Sequence, residues 1–168
     1  MNFKLKALVA GVALGFSMSG MAQEPIKIGV SGPFTGGSAP MGVSMRDGVK
    51  LAVNEINAAG GVLGRKIQLI ERDDEAKNER GVQIAQELIN KERVVATVGY
   101  INTGVAQASQ RFYQQAQIPV INNVATGSII TQQFASQPTN FVFRTSASDA
   151  IQSQMIVDEA IGRRGFKK

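Results

Sequence analysis

The chain has 168 residues with 18 basic and 13 acidic side chains, a formal charge of +5, and no cysteine, histidine or tryptophan. These absences exclude a Ser-His-Asp or Cys-His nucleophile, a zinc site of the usual ligand set and any disulfide framework, so a catalyst built here would depend on carboxylates, lysines and hydroxyls. The basic balance raises nucleic acid and anionic membrane as partners, and the placement of the charges argues against both.

At the start of the chain, Lys4 and Lys6 precede an apolar run from Ala7 to Phe16, and small residues follow up to Gly20-Met21-Ala22. That is the n-region, h-region and cleavage pattern of a secretory leader, so 1–22 reads as a signal peptide and 23–168 as one exported domain. The run is too short for a stable anchor, and no stable membrane insertion is expected after cleavage. Two basic residues leave with the leader, and Arg163, Arg164, Lys167 and Lys168 crowd the other end; residues 23–162 carry 12 basic and 13 acidic groups. No basic face remains to read nucleic acid. The terminal cluster reads as a solvated helix end, where cations suit the macrodipole. Export without cysteine means that an apolar core alone must hold the domain, and its length is sufficient for one.

Beyond the leader, short apolar runs alternate with longer amphipathic segments. Ile26 to Ser31 predicts a strand that ends in a loop of glycine, proline and small polar residues, Gly32 to Gly42. A helix is expected over about Val43–Ala59, burying Met45, Val49, Ala52, Val53 and Ile56 and stopped by Gly60-Gly61. A strand over Lys66–Glu71 precedes a helix over Asn78–Lys91 that buries Val82, Ala85, Leu88 and Ile89. Val94 to Val98 is β-branched without polar alternation and predicts a strand buried on both faces. Thr103–Ala116 reads as a helix with Val105, Ala108 and Phe112 on one side. Strands follow at Pro119–Asn122 and Phe141–Thr145, then a helix over about Ala147–Arg164 burying Ile151, Met155, Ile156, Ala160 and Ile161. The alternation predicts an α/β fold: a doubly wound parallel sheet covered on both sides.

Ligands of such sheets bind beyond the carboxyl ends of the strands near the switch point, which selects the loops at 31–42, 99–103, 122–127 and 144–148. Gly29-Val30-Ser31-Gly32-Pro33 is not a dinucleotide fingerprint, and neither a P-loop nor a G-x-S-x-G elbow occurs. Asp73 and Asp74 suggest a metal or phospho-acceptor pocket, yet the other strand ends offer no further carboxylate, and the pair is expected to cap the turn and the following helix. Thr103 begins a helix where its hydroxyl and the free N–H groups suit a carboxylate. Asn102, Asn122, Asn123, Ala125 and Thr126 place amide, hydroxyl and carbonyl groups at neighbouring strand ends, where oxygens accept from an ammonium. The same residues read equally as an ordinary helix start and turn, and both readings stand on spacing alone. Tyr100 closes a strand beside this place with a polar tip. Met41 and Phe34, on the first loop, offer apolar contact to a ligand side chain or simply pack.

Three stretches then coincide with a known pattern: Ile26-Lys27-Ile28-Gly29-Val30-Ser31-Gly32-Pro33-Phe34-Thr35-Gly36, the helix end and turn from Glu55 to Arg65, and the Asp73-Asp74 pair. With Val98-Gly99-Tyr100 through Ser109 and Ile118-Pro119-Val120-Ile121 through Thr126, they closely resemble the periplasmic branched-chain amino-acid binding proteins, type I periplasmic solute receptors of ABC importers. The resemblance implies a non-enzymatic, cofactor-free receptor that hands a small solute to a membrane permease. It also implies that Thr103 binds the ligand carboxylate, that Ala125 and Thr126 supply a carbonyl, an N–H and a hydroxyl, and that Met41 stands where an aromatic residue often flanks the ligand. That last departure weakens the case for branched-chain ligands over amides, urea or aromatic acids. Relatives carry a disulfide that this cysteine-free chain lacks, and they form two lobes that close on the ligand. The chain is expected to be the first lobe, truncated before the second. A ligand-sensing regulatory module of the same fold is the rival reading, and the leader argues for a free periplasmic receptor instead.

Overall fold

The computed structural model describes residues 23–166; the expected signal peptide lies outside the described residues. Five strands, β1 (Ile26–Gly32), β2 (Ile67–Asp73), β3 (Ala96–Gly99), β4 (Val120–Asn122) and β5 (Val142–Arg144), pair in parallel in the order β2-β1-β3-β4-β5. The helices are α1 (Ala39–Ala58), α2 (Asn78–Glu87, continued by a π-helical turn to Glu92), α3 (Thr103–Ala116), α4 (Ile129–Gln132) and α5 (Asp149–Val157, continued as π-helix to Arg163). The chain leaves β1 in one direction and β3 in the other, so the switch point lies between these two strands.

Alternation along the strands assigns the two faces. On one, Gly29 lies against Leu88 and Thr97, and Ala85, Val105, Ala106, Tyr113, Val120 and Val142 form the main core beneath α2 and α3. On the other, Val30 packs on Met45 and Ile101, with Phe34, Val49, Leu69 and Val124 around them. Gly60 and Gly61 end α1 with positive φ, and the Gly61 N–H donates to the Ile56 carbonyl.

The parallel sheet and the order of its strands and main helices agree with the sequence reading, which did not foresee the short helix α4 and differs in several details. Helix α1 begins at Ala39 because Pro40 starts a helix without losing a bond. Ala52 and Ile56 are exposed. In α2 the buried position is Ile84, with Val82 half-buried, because the helix turns Gly81, Ile84, Ala85 and Leu88 inward. Strand β3 is not buried on both faces: Thr97 and Gly99 are buried, Ala96 and Val98 half-buried, and Val95 lies outside the strand and exposed.

The cause is that the α1 face is covered only over β1 and β2. The paired residues Val30, Val98, Ile121 and Phe143 run across that face, and exposure climbs from 0% at Val30 to 48% at Phe143. Helix α5 does not close the gap: Ile151, Met155, Ile156 and Ile161 are all exposed, and none of its residues is buried. Unsatisfied apolar surface of this extent favours association. A chain of residues 23–168 is expected to elute from a sizing column at an apparent mass that rises with concentration, and a concentration-independent monomer would contradict this.

Candidate ligand-binding site

The first loop is fixed by the carboxylates that end β2. Asp73 accepts from the Phe34 N–H (2.8 Å), the Glu75 N–H (2.9 Å) and the Thr35 hydroxyl (2.6 Å), and these bonds hold its pKa below the usual value against a desolvation that acts the other way. Asp74 is buried, accepting from the Ala76 N–H at 3.0 Å and the Ser31 hydroxyl at 3.3 Å. Both therefore brace turns, as expected of turn residues; neither caps α2, whose N-cap is Lys77 without a side-chain bond. The braced loop delivers Ser38 to the start of α1, so Met41 lies in the first helical turn and not on the loop as the sequence suggested.

Met41 is 54% exposed. With Pro40, Ser44, Met45, Val49, Asn123 and Val124 it lines an open groove of about 730 Å³ between α1 and the end of β4. Phe34 does not reach this groove; its ring packs on the Val30 cluster, with the Arg46 guanidinium 5.2 Å from its centroid.

Beyond Val124 the chain turns toward the N-terminus of α3. The Thr103 hydroxyl oxygen, in the first residue of that helix, accepts from the Gly127 N–H at 3.2 Å, which joins the β3 and β4 loops. With its oxygen so engaged, the Thr103 hydroxyl keeps its proton to donate, beside N–H groups that no helical carbonyl satisfies. Asn102 is the N-cap, and its side chain makes no capping bond; its Oδ1 is buried without a partner among the described residues. Ala125 is buried. Its N–H donates to the Tyr100 carbonyl (3.0 Å) and its carbonyl accepts from the Ser146 hydroxyl (3.1 Å). The Thr126 carbonyl accepts from Arg144 (3.0 Å) and from the Asp149 N–H (2.9 Å).

Of the six residues singled out in the sequence, Asn102, Thr103, Ala125 and Thr126 converge at the ends of β3 and β4, and Met41 lies on the adjoining groove. Tyr100 does not join them. Its ring is fully buried in the main core and its hydroxyl donates to that of Tyr113 at 3.2 Å. Burial pushes the phenol well above its ordinary pKa. The polar tip that suggested a ligand contact is spent inside the protein, where the ring lies with Val105, Tyr113 and Val120 on the α2 and α3 side of the sheet. The Ala125 N–H and carbonyl and the Thr126 carbonyl are likewise engaged within the protein, so Ala125 offers no free backbone group as expected of it, and of this pair only the Thr126 N–H and hydroxyl remain without partners among the described residues. The sequence reading missed Arg144 and Ser146: Arg144 ends β5 and Ser146 follows it, both within the 144–148 segment that the strand-end rule selects, but they act on backbone atoms, and no spacing marks that.

Residues 25–168 match the profile of the periplasmic binding protein family, and the chain belongs to that family. It is 31% identical over 153 residues to the Leu/Ile/Val-binding protein of Escherichia coli K12, covering 90% of this chain and 40% of that one. The fold is similar to the branched-chain amino acid transporter substrate binding protein LivJ of Streptococcus pneumoniae in complex with isoleucine (TM-score 0.75, 28% identity, covering 82% of this chain and 38% of the other). It is also similar to a solute binding protein of an ABC transporter from Rhodopseudomonas palustris BisB5 in complex with 3,4-dihydroxybenzoic acid (TM-score 0.74, 31% identity, 85% and 37% coverage). The chain spans about two fifths of the length of these curated relatives.

Proposed function

We propose that this chain forms the first wall of a periplasmic receptor that binds a branched-chain amino acid, or a similar small carboxylate, and presents it to the permease of an ABC importer. The observation that carries the reading is the junction of the Thr103 hydroxyl, the free N–H groups of α3 and the Thr126 N–H and hydroxyl beside an apolar groove. One end of that arrangement donates hydrogen bonds and suits a carboxylate; the other is lined by Met41, Met45, Val49 and Val124 and suits an aliphatic or aromatic body. Binding makes and breaks no covalent bond, and no cofactor enters. The leader pattern and the family support export to the periplasm. The relatives bound to isoleucine and to dihydroxybenzoic acid support this ligand range.

The groove is open on one side, so a ligand here contacts a single wall. Leucine is expected to bind the chain with a dissociation constant on the order of millimolar, since most affinity for a small solute comes from enclosure. In NMR titrations the amides of 103–105 and 126–127 should shift, and Thr103→Val should weaken binding about tenfold through loss of one charge-assisted bond. Micromolar binding by the chain, or shifts confined to other surfaces, would overturn this assignment.

A further inference from the structure

We propose that Arg144 is the positioning residue of the ligand-binding loop, and that it makes the Thr103 hydroxyl a donor toward the ligand. Its Nη1 donates to the Thr126 carbonyl at 3.0 Å and to the Gly127 carbonyl at 2.9 Å. A trans peptide carries its C=O and N–H on opposite edges. Holding the Thr126 oxygen toward β5 therefore turns the Gly127 N–H the other way, onto Thr103 Oγ1. Ser146 does the same one peptide earlier: its hydroxyl holds the Ala125 carbonyl, which turns the Thr126 N–H away from β5. Gly127 N–H occupies an acceptor site on Thr103 Oγ1, so the Thr103 proton is left for the ligand.

The Arg144 charge reinforces the same direction. No carboxylate lies within ion-pairing distance of it among the described residues, unlike Arg72, which meets Glu87 and Glu92 at 2.9 and 2.8 Å. The guanidinium polarises the peptide between Thr126 and Gly127, and through it the Thr103 hydroxyl, toward donation to an anion. The ligand class is accordingly read on this wall by its carboxylate, and an amine lacking that group is rejected.

This inference rests on the loop being the ligand site, and the experiment separates the two. Arg144→Gln and Arg144→Lys in the exported chain would be titrated by NMR with leucine, 4-methylpentanoate and 3-methylbutylamine. The unsubstituted chain should bind the first two and not the amine. Arg144→Gln should lose about tenfold in affinity for both carboxylates, whereas Arg144→Lys, which keeps the charge and a donor nitrogen able to serve both carbonyls, should stay within about threefold. The Gly127 amide resonance, read without ligand, should move in Arg144→Gln and return toward its original position in Arg144→Lys. Equal losses in both variants, or an unmoved Gly127 amide, would overturn the proposal. Should Arg144→Gln not fold, Arg144→Lys and Ser146→Ala decide it: the proposal fails if Lys abolishes binding or if Ala leaves the Thr126 amide unmoved. If the unsubstituted chain binds no carboxylate, the ligand-site reading falls, while the Gly127 amide still judges the clamp.

Discussion

Gly42→Ala should lower the melting temperature of the 23–168 chain by roughly 6 °C, corresponding to about 2 kcal/mol. On helix propensity alone the expectation is the reverse, because Gly42 lies inside α1, where alanine is favoured by about 1 kcal/mol. Packing decides the sign. A Cβ at this position would be driven into the Pro33 carbonyl oxygen and carbon, and these are backbone atoms of a loop already pinned by the Asp73 bonds to Phe34 and Thr35. Neither partner yields freely, so the first turn of α1 must move off the loop. That turn carries Met41 and one side of the groove, and leucine affinity should fall with stability. Gly48→Ala is the control, since a Cβ there meets nothing within 4 Å and should be neutral or slightly stabilising. Equal behaviour of the two variants in a thermal melt would mean that α1 is not held against the loop as described.

The sequence made the element order legible because each strand is an apolar run and each helix carries a stripe of matching period. The position of Thr103 at the start of α3 was legible for a related reason: a hydroxyl residue opening a helix straight after a strand can occupy few places in a parallel sheet. Periodicity identifies which side of an element is apolar without saying whether anything lies against it. Ile151, Met155, Ile156 and Ile161 therefore resembled core residues in sequence and stand exposed in α5. Strand β3 failed in the same way, since its β-branched run looked doubly buried and only the Thr97 side is covered.

Other departures concern direction. Tyr100 and Thr103 lie three residues apart at one strand end, and the backbone path sends the first into the core and the second to the start of α3, where its hydroxyl meets the Gly127 N–H. Composition carries no record of that path. Arg144 was invisible for a further reason: it acts on carbonyls 17 and 18 residues away in the chain, and every residue has a carbonyl. What selects Thr126 and Gly127 as its partners is the alignment of β4 with β5, in which Asn122 pairs with Arg144.

Asp74→Asn should stabilise the chain at neutral and alkaline pH and leave it unchanged in acid. The Asp74 carboxyl is buried, and desolvation is the main cause of a pKa raised from 3.8 to about 6, with the neighbouring Asp73 charge adding to it. A carboxyl that holds its proton more tightly when folded contributes stability fully below its unfolded pKa, and that contribution is lost as pH rises through the folded value. For Asp74 the loss runs between about pH 4 and pH 6 and amounts to about 3 kcal/mol, at 1.36 kcal/mol per pKa unit. Asparagine cannot ionise, keeps an oxygen to accept from the Ala76 N–H and offers Ser31 an N–H, so it reproduces the protonated state at every pH. Asp73, whose pKa is lowered, contributes with the opposite sign: its stabilisation is present above the ordinary carboxylate pKa and lost in acid. It is common to both chains, however, and cancels in their difference. Thermal melts should coincide near pH 3.5 and separate to roughly 8 °C by pH 7, with Asp74→Asn the higher. A variant less stable than the parent at pH 8 would mean that the charged carboxylate gains more from Ser31 and Ala76 than its burial costs, and that β1 is tied to the turn after β2 by an ion and not by a neutral acid.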